Sequence, residues 1–161
     1  MEFSFDIHGY LKPYGKIATD LESFEAGFVE PFEADSTRHQ LFQGYVRYNE
    51  DLKQLLGNIR YTQWVDGSFI STKVNPRDID LVSLIDHQLI DQYETDLERF
   101  TKQTSKETYG VDGYIVRIYP EEHPYYVRTQ SDLIYWEHWF SHSKKNRRKQ
   151  RFPKGFIEIE F

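Results

Sequence analysis

The residues of this chain best suited to a chemical role are a Gly-Ser pair and the two closely spaced aspartates that follow it. Gly67-Ser68 is followed by Asp78-Ile79-Asp80. Alternate side chains of an extended chain point to the same face, so Asp78 and Asp80 are expected to present their carboxylates together, as hard oxygen ligands that suit Mg²⁺. Gly67 would let the backbone turn tightly beside a phosphate, and Ser68 would add a hydroxyl and an amide. The pattern predicts an anion site next to a metal site.

Four apolar segments predict the strands that must position these residues. The segments from Ile59 to Val65 and from Ile79 to Ile85 lie on either side of the motif and are rich in β-branched residues. VDGYIVRIY, which starts at Val111, and the alternating run from Phe156 to Phe161 predict two further strands. The motif is therefore expected between two strands.

Other segments predict helices that pack on this sheet. Thr19-Asp20-Leu21-Glu22 fits a capping box before a short helix, and the segment from Ser36 to Gly57 carries an apolar stripe at helical spacing. His87 to Lys102 and Ser131 to Phe140 show the same spacing. A length of 161 residues fits one domain spanning residues 1–161. The expected fold class is α/β (α+β), a mixed β-sheet with packed helices.

The motif GSFISTKVNPRDID resembles the signature of the nucleotidyltransferase superfamily related to DNA polymerase beta: a Gly-Ser turn, a spacer and Asp-x-Asp. The longer stretch QWVDGSFISTKVNPRDIDLVSLID, the opening FDIHGYLKP and the ending KGFIEIEF look like a family of small bacterial nucleotidyltransferase-like proteins. This resemblance covers nearly the whole chain. It implies a nucleotidyltransferase-like fold that binds an NTP such as ATP together with Mg²⁺, two ions being expected.

The same resemblance implies a biological setting and a kind of acceptor. Members of the family are similar to minimal nucleotidyltransferases of toxin–antitoxin and phage-defence systems, some of which attach nucleotides to a partner protein or to tRNA. The expected partners are therefore a nucleoside triphosphate and either a toxin or antitoxin protein or a tRNA. The acceptor itself does not follow from the resemblance.

A third carboxylate is expected, because a second metal ion must be bridged to the acceptor hydroxyl and needs a ligand that can also act as general base. Asp112 is the candidate, since it stands at the start of a predicted strand where the superfamily pattern has its third acid. Gly113 departs from the hydrophobic residue common at the next position. Glu158 and Glu160, which alternate on the last predicted strand, are alternatives for the same role.

Two cations within the motif could bind phosphate. Arg77 could do so through a bidentate fork and Lys73 as a point charge, although surface solubility explains both equally well. The motif also has a purely structural interpretation. Asn75 to Asp78 is typical of a turn before a strand, and Gly67-Ser68 is typical of a hairpin turn or a helix cap.

A basic segment, KKNRRKQRFPK from Lys144 to Lys154, stands out in a chain of formal net charge −6. It carries seven positive residues and no acid. Such a block is either a solvated loop or an arm that binds a triphosphate or RNA phosphates. The possible phosphate or RNA contacts are Lys144, Lys145, Arg147, Arg148, Lys149 and Arg151.

Composition excludes several classes of function. The chain has no cysteine, which removes disulfides, thiol nucleophiles and thiolate zinc sites. It has no long apolar run and no recognisable signal peptide, so no membrane association and a cytoplasmic location are expected.

Three functions remain open from the sequence. The first is a Mg²⁺-dependent nucleotidyltransferase that moves a nucleoside monophosphate from an NTP to a hydroxyl of a protein or RNA. The second is a catalytically silent antitoxin of the same fold that covers a partner protein. The third is an RNA-binding module that acts through the basic segment.

Overall fold

A five-stranded mixed sheet forms the centre of the structure, a computed structural model that describes residues 2–161. The strands, in chain order, are β1 (Ser4–Phe5), β2 (Leu11–Lys12), β3 (Gly15–Thr19), β4 (Thr62–Asp66), β5 (Ile79–Asp86), β6 (Val111–Ile118) and β7 (Gly155–Glu160). The sheet has the order β3-β7-β4-β5-β6, while β1 and β2 form a separate antiparallel pair. Strands β3 and β7 are parallel, as are β5 and β6, and β4 is antiparallel to both of its neighbours.

Helices cover this sheet, which confirms the predicted α/β (α+β) class. They are α1 (Leu21–Phe28), α2 (Thr37–Leu56), α3 (His87–Gln92), α4 (Glu94–Leu97), α5 (Lys102–Tyr109) and α6 (Tyr126–Phe140), with 3-10 turns at Ser68–Ile70 and Glu98–Phe100. The predicted helix from Ser36 to Gly57 is confirmed as α2. Ser36 caps its first turn, and Gly57 ends it in the left-handed conformation.

The helices α2 and α6 lie on opposite faces of the sheet. On the α2 face, the hydroxyl of Tyr45 donates to Gln63, and the amide of Gln63 donates to Ser83 on β5, at 2.8 and 2.9 Å. On the α6 face, Trp136 packs on Tyr114 of β6 with ring centroids 5.0 Å apart. Because strand side chains alternate, the α6 face also receives every second residue of β4 and β5.

The predicted helix from His87 to Lys102 is wrong, because the chain breaks twice and resumes as α5. Phe100 and Tyr109 both pack edge-on against Tyr48 of α2, with centroids 5.3 and 5.4 Å from its ring. In one continuous helix these two residues would lie about 13 Å apart along the axis, too far to contact a single ring. Thr101 is extended at the second break, which brings both rings onto Tyr48.

Two other predicted helix starts are also corrected. The N-cap of α1 is Asp20, not Thr19, since the Asp20 carboxylate accepts from the backbone N–H of Ser23 at 2.7 Å. Helix α6 begins at Tyr126, before the predicted Ser131. Its first turns are anchored by the buried hydroxyl of Thr129, which bonds the backbone where β6 ends.

Candidate functional site

A cavity of about 470 Å³ lies where β4 ends and where β5 and β6 begin. The predicted residues Gly67, Ser68, Lys73, Asp78, Asp80 and Asp112 all line it. So do the end of α6 and part of the basic segment. The cavity therefore brings together the predicted phosphate turn, the predicted metal ligands and positive charge.

Strand register places three aspartates side by side on the cavity floor. Asp80 pairs with Asp66 on one side and with Asp112 on the other. Register partners in a sheet lie about 5 Å apart and face the same way, so the three carboxylates share the α6 face. Asp78 precedes β5 by one residue and also reaches the cavity.

The charge on Asp80 is held in an unfavourable environment. Burial raises the pKa of Asp80, and the neighbouring carboxylates Asp78 and Asp112 raise it further, while Lys144 and Lys154 act in the opposite direction. Carboxylates that repel one another at a partly buried position favour a bound cation. The cavity floor therefore has the electrostatics of a cation site.

Asp78 already has a cationic partner. The Nζ of Lys106, on α5, lies 2.5 Å from Asp78 Oδ2, and the two side chains are 40% and 16% exposed. Among residues 2–161, no group of three or more acidic or histidine side chains is arranged to hold a metal ion. The donors do fit Mg²⁺ held by one or two carboxylates, since that ion completes its octahedral shell with waters and phosphates.

The Gly-Ser turn packs directly against Asp80. Gly67 has φ 80° and ψ −164°, a combination that is essentially restricted to glycine. The 3-10 turn Ser68–Ile70 follows at once. The turn and the aspartates therefore line adjacent parts of the same cavity.

Arg38 fixes the loop after this turn and was not identified from the sequence. Its guanidinium, buried at the start of α2, donates to the backbone carbonyls of Phe69, Ser71 and Lys73, and of Phe28 on α1. Burial lowers the pKa of Arg38 to about 10, so it remains charged at neutral pH. An arginine in the first turn of a helix has no sequence pattern that distinguishes it from a surface cation.

Asp66 and Lys154 form a second feature that the sequence did not reveal. Lys154 Nζ lies 2.7 Å from both carboxylate oxygens of Asp66, and both side chains are largely buried. Burial raises the pKa of Asp66 to about 6, and the Lys154 charge opposes that shift. The ion pair connects the end of the basic segment to the cavity floor.

The two predicted phosphate-binding cations of the motif are in different places. Lys73 lines the cavity, and its backbone carbonyl is held by Arg38. Arg77 lies outside it, in a neighbouring depression formed with Thr37, Asn75 and Pro76. The motif loop therefore offers Lys73, and not Arg77, to a ligand in this cavity.

Some cations of the basic segment line the cavity and others do not. Lys144 and Arg151 line the cavity, whereas Lys145, Arg147, Arg148 and Lys149 lie at an exposed turn beyond it. The segment is thus placed beside the site, with part of its charge directed at the cavity and part at solvent.

Glu158 and Glu160, the alternatives to Asp112, do not reach the cavity. Glu158 accepts from the Trp64 indole at 2.7 Å and pairs with Lys16 at 3.0 Å. Glu160 pairs in register with Thr62, at the end of β4 opposite to Asp66. Of the three candidates for the third carboxylate, Asp112 is therefore the one that the fold brings to Asp80.

Within residues 2–161, no helix combines the length and the apolar character that crossing a membrane requires.

Comparisons with known proteins identify a family but no characterised relative. Neither a curated protein nor a solved structure matches the chain. A family model described as "Family of unknown function (DUF6932)" matches residues 3–160, nearly the whole chain, which therefore belongs to this family.

Proposed function

We propose that this protein is a Mg²⁺-dependent nucleotidyltransferase that moves a nucleoside monophosphate from an NTP to a hydroxyl of a protein or RNA. The observation that carries the proposal is the convergence of Asp78, Asp80 and Asp112 on one cavity, beside the Gly67-Ser68 turn. The resemblance of the motif to the nucleotidyltransferase signature supports the same activity. The lysines and arginine on the cavity wall suit a polyphosphate ligand.

In this reaction the acceptor oxygen bonds to the α-phosphorus of the NTP while the bond from that phosphorus to the bridging oxygen breaks. Pyrophosphate leaves, and the acceptor proton passes to Asp112 and then to solvent. When bound, Mg²⁺ would neutralise the phosphate charge, with Asp78 and Asp80 holding one ion and Asp112 sharing a second. Backbone amides at Ser68 and the cation of Lys73 orient the triphosphate.

The setting of this activity is inferred from the same resemblance. A nucleotidyltransferase of this kind would act in the cytoplasm, where NTPs and Mg²⁺ are supplied. A role in a toxin–antitoxin or phage-defence system, with a partner protein or tRNA as acceptor, belongs to the same proposal.

A catalytically silent antitoxin or RNA-binding module is the second candidate function. The ion pair of Lys106 with Asp78 favours it, because an ammonium occupies one predicted metal ligand. Such a protein would retain the fold and the basic segment without using a metal.

Nucleotide transfer distinguishes the two candidates. The protein is incubated with α-³²P-labelled NTPs, Mg²⁺ and either purified RNA or cell protein, and calorimetry measures Mg²⁺–NTP binding separately. Asp80→Asn should lower transfer by at least about 100-fold, because it removes a ligand charge without changing side-chain volume. Asp96→Asn, at an exposed position on α4, is the matched control. No transfer and no Mg²⁺–NTP binding, or transfer that survives Asp80→Asn, would refute the enzymatic proposal.

A further inference from the structure

The basic segment forms a hydrogen-bonded hairpin. His142 and Pro153 form an antiparallel bridge, and the backbone N–H of Ser143 donates to the carbonyl of Phe152 at 2.8 Å. The carboxamide of Asn146 closes the turn by accepting from two backbone N–H groups. We call residues 142–153 the basic hairpin. Its base is anchored to the cavity floor through Lys154 and Asp66.

The cations of the basic hairpin have no ion-pair partner among residues 2–161. All of them are exposed. Such a concentration of positive charge in an acidic chain is costly through self-repulsion, and it is relieved when a polyanion binds. The basic hairpin therefore suits a ligand with several closely spaced negative charges.

Flat aromatic faces lie beside this charge, at the end of α6. Trp139 is 44% exposed and lines the cavity, and Tyr135 is 59% exposed one turn earlier. Their rings are inclined by only 7°, with centroids 6.5 Å apart, and the Arg151 guanidinium lies 5.7 Å from the Trp139 ring centroid. Unpaired bases stack on exposed rings of this kind.

We propose that the acceptor is a single-stranded end of an RNA, whose phosphates bind the basic hairpin and whose bases stack on Trp139 and Tyr135. This deepens the proposed function and rests on it for the reaction. RNA is favoured over DNA because unpaired strands are its usual recognised form. Arg151, Trp139 and Asp112 line the same cavity, so a strand bound in this way would place its terminal hydroxyl in the cavity that holds Asp112.

Salt-dependent binding tests the charge contacts. Fluorescence anisotropy measures the Kd of a labelled single-stranded RNA of about 16 nucleotides between about 50 and 200 mM KCl. Arg147→Glu/Arg148→Glu should weaken binding at least tenfold and reduce the slope of log K against log salt by about 1.4, since each lost phosphate contact removes about 0.7. Arg47→Glu/Arg60→Glu changes the net charge equally at exposed positions elsewhere in the chain, and should alter neither quantity as much.

A second variant tests base stacking. Trp139→Leu should weaken RNA binding roughly tenfold without changing the salt slope, because it removes a ring and no charge. Polyglutamate of similar charge should bind more weakly than RNA and should be indifferent to this variant. Circular dichroism verifies that each variant is folded.

Several results would overturn the inference. Equal losses of RNA affinity in the two double-charge variants would mean that only the net charge of the protein matters and that the basic hairpin makes no specific contact. Polyglutamate binding as tight as RNA would indicate an acidic protein partner, and tighter binding of single-stranded DNA of the same sequence would exclude RNA as the preferred strand. Absence of RNA binding, together with label transfer to a protein, would remove the inference and leave the nucleotidyltransferase proposal standing.

Discussion

Gly67 and Asp80 are in such close contact that a side chain at position 67 would displace the Asp80 carboxylate. A Cβ added to Gly67 would lie 1.8 Å from Asp80 Oδ2. Glycine is therefore required for two reasons. The turn needs its positive φ, and the Asp80 carboxylate occupies the space that a side chain at position 67 would fill. The two halves of the predicted motif depend on each other sterically.

Replacing Gly67 with alanine is expected to cost about 2 to 4 kcal/mol of unfolding free energy and to displace Asp80. Urea titration measures the first effect, and the loss of Mg²⁺–NTP binding by calorimetry measures the second. Gly57→Ala is the matched control, because Gly57 also has positive φ but has nothing within 4 Å of an added Cβ. That control should lose only about 1 kcal/mol, and similar losses in both variants would contradict the steric argument.

Arg38→Lys is expected to loosen the loop that follows Gly67. Lysine keeps the charge but lacks the planar fork that reaches several carbonyls, so about 2 to 4 kcal/mol of stability should be lost. Hydrogen exchange of the amides between Ser68 and Lys73 should quicken, and NTP affinity should fall. Arg47→Lys, at an exposed position on the same helix, should change stability by less than about 0.5 kcal/mol. Unaltered hydrogen exchange of these amides in Arg38→Lys would show that the loop is stable without the Arg38 guanidinium.

The sequence predicted those elements whose signals are local. Helix α2 has its cap residues and a long apolar stripe, and β5 is a continuous apolar run, so both were placed within a residue or two. The break at Thr101 was missed because it depends on Tyr48, a residue distant in the chain. The hairpin of β1 and β2 is too short to show an alternating pattern.

The residues of the candidate site also differ in whether a local sequence signal predicts their position. Gly67, Ser68, Asp78 and Asp80 belong to one motif, so their proximity could be inferred from spacing. Asp66 and Lys154 are 88 residues apart, and only the packing of β7 against β4 brings them together. Contacts of this kind are set by sheet register, which a single sequence does not encode locally.

Removal of the Lys106 charge is expected to strengthen divalent cation binding. The ammonium competes with a metal ion for Asp78, but the pair is partly solvent-exposed, so the gain should be only about two- to fivefold. Calorimetry with Mg²⁺ or Mn²⁺ on Lys106→Met measures it. Lys102→Met removes an exposed charge from the same helix and should leave cation affinity unchanged. Weaker binding in Lys106→Met would mean that this lysine holds the carboxylate in place for the metal.

Stability should depend on pH through Asp66. Because burial raises its pKa from 3.8 to about 6, the folded protein retains a proton between these pH values that the unfolded chain has already lost. The unfolding free energy therefore falls as pH rises through this window, by at most about 3 kcal/mol from this group. Asp66→Asn does not titrate, so its unfolding free energy minus that of the unmodified protein should increase from pH 4 to 6 and then level off.

Urea titrations of both proteins at several pH values give this difference, in which the contributions of carboxylates that do not interact with Asp66 cancel. Asp66→Asn also loses the ion pair with Lys154, which shifts the whole curve. Only the slope therefore reports on the Asp66 carboxyl. A difference that is flat between pH 4 and 6 would mean that Lys154 compensates the burial of Asp66 completely.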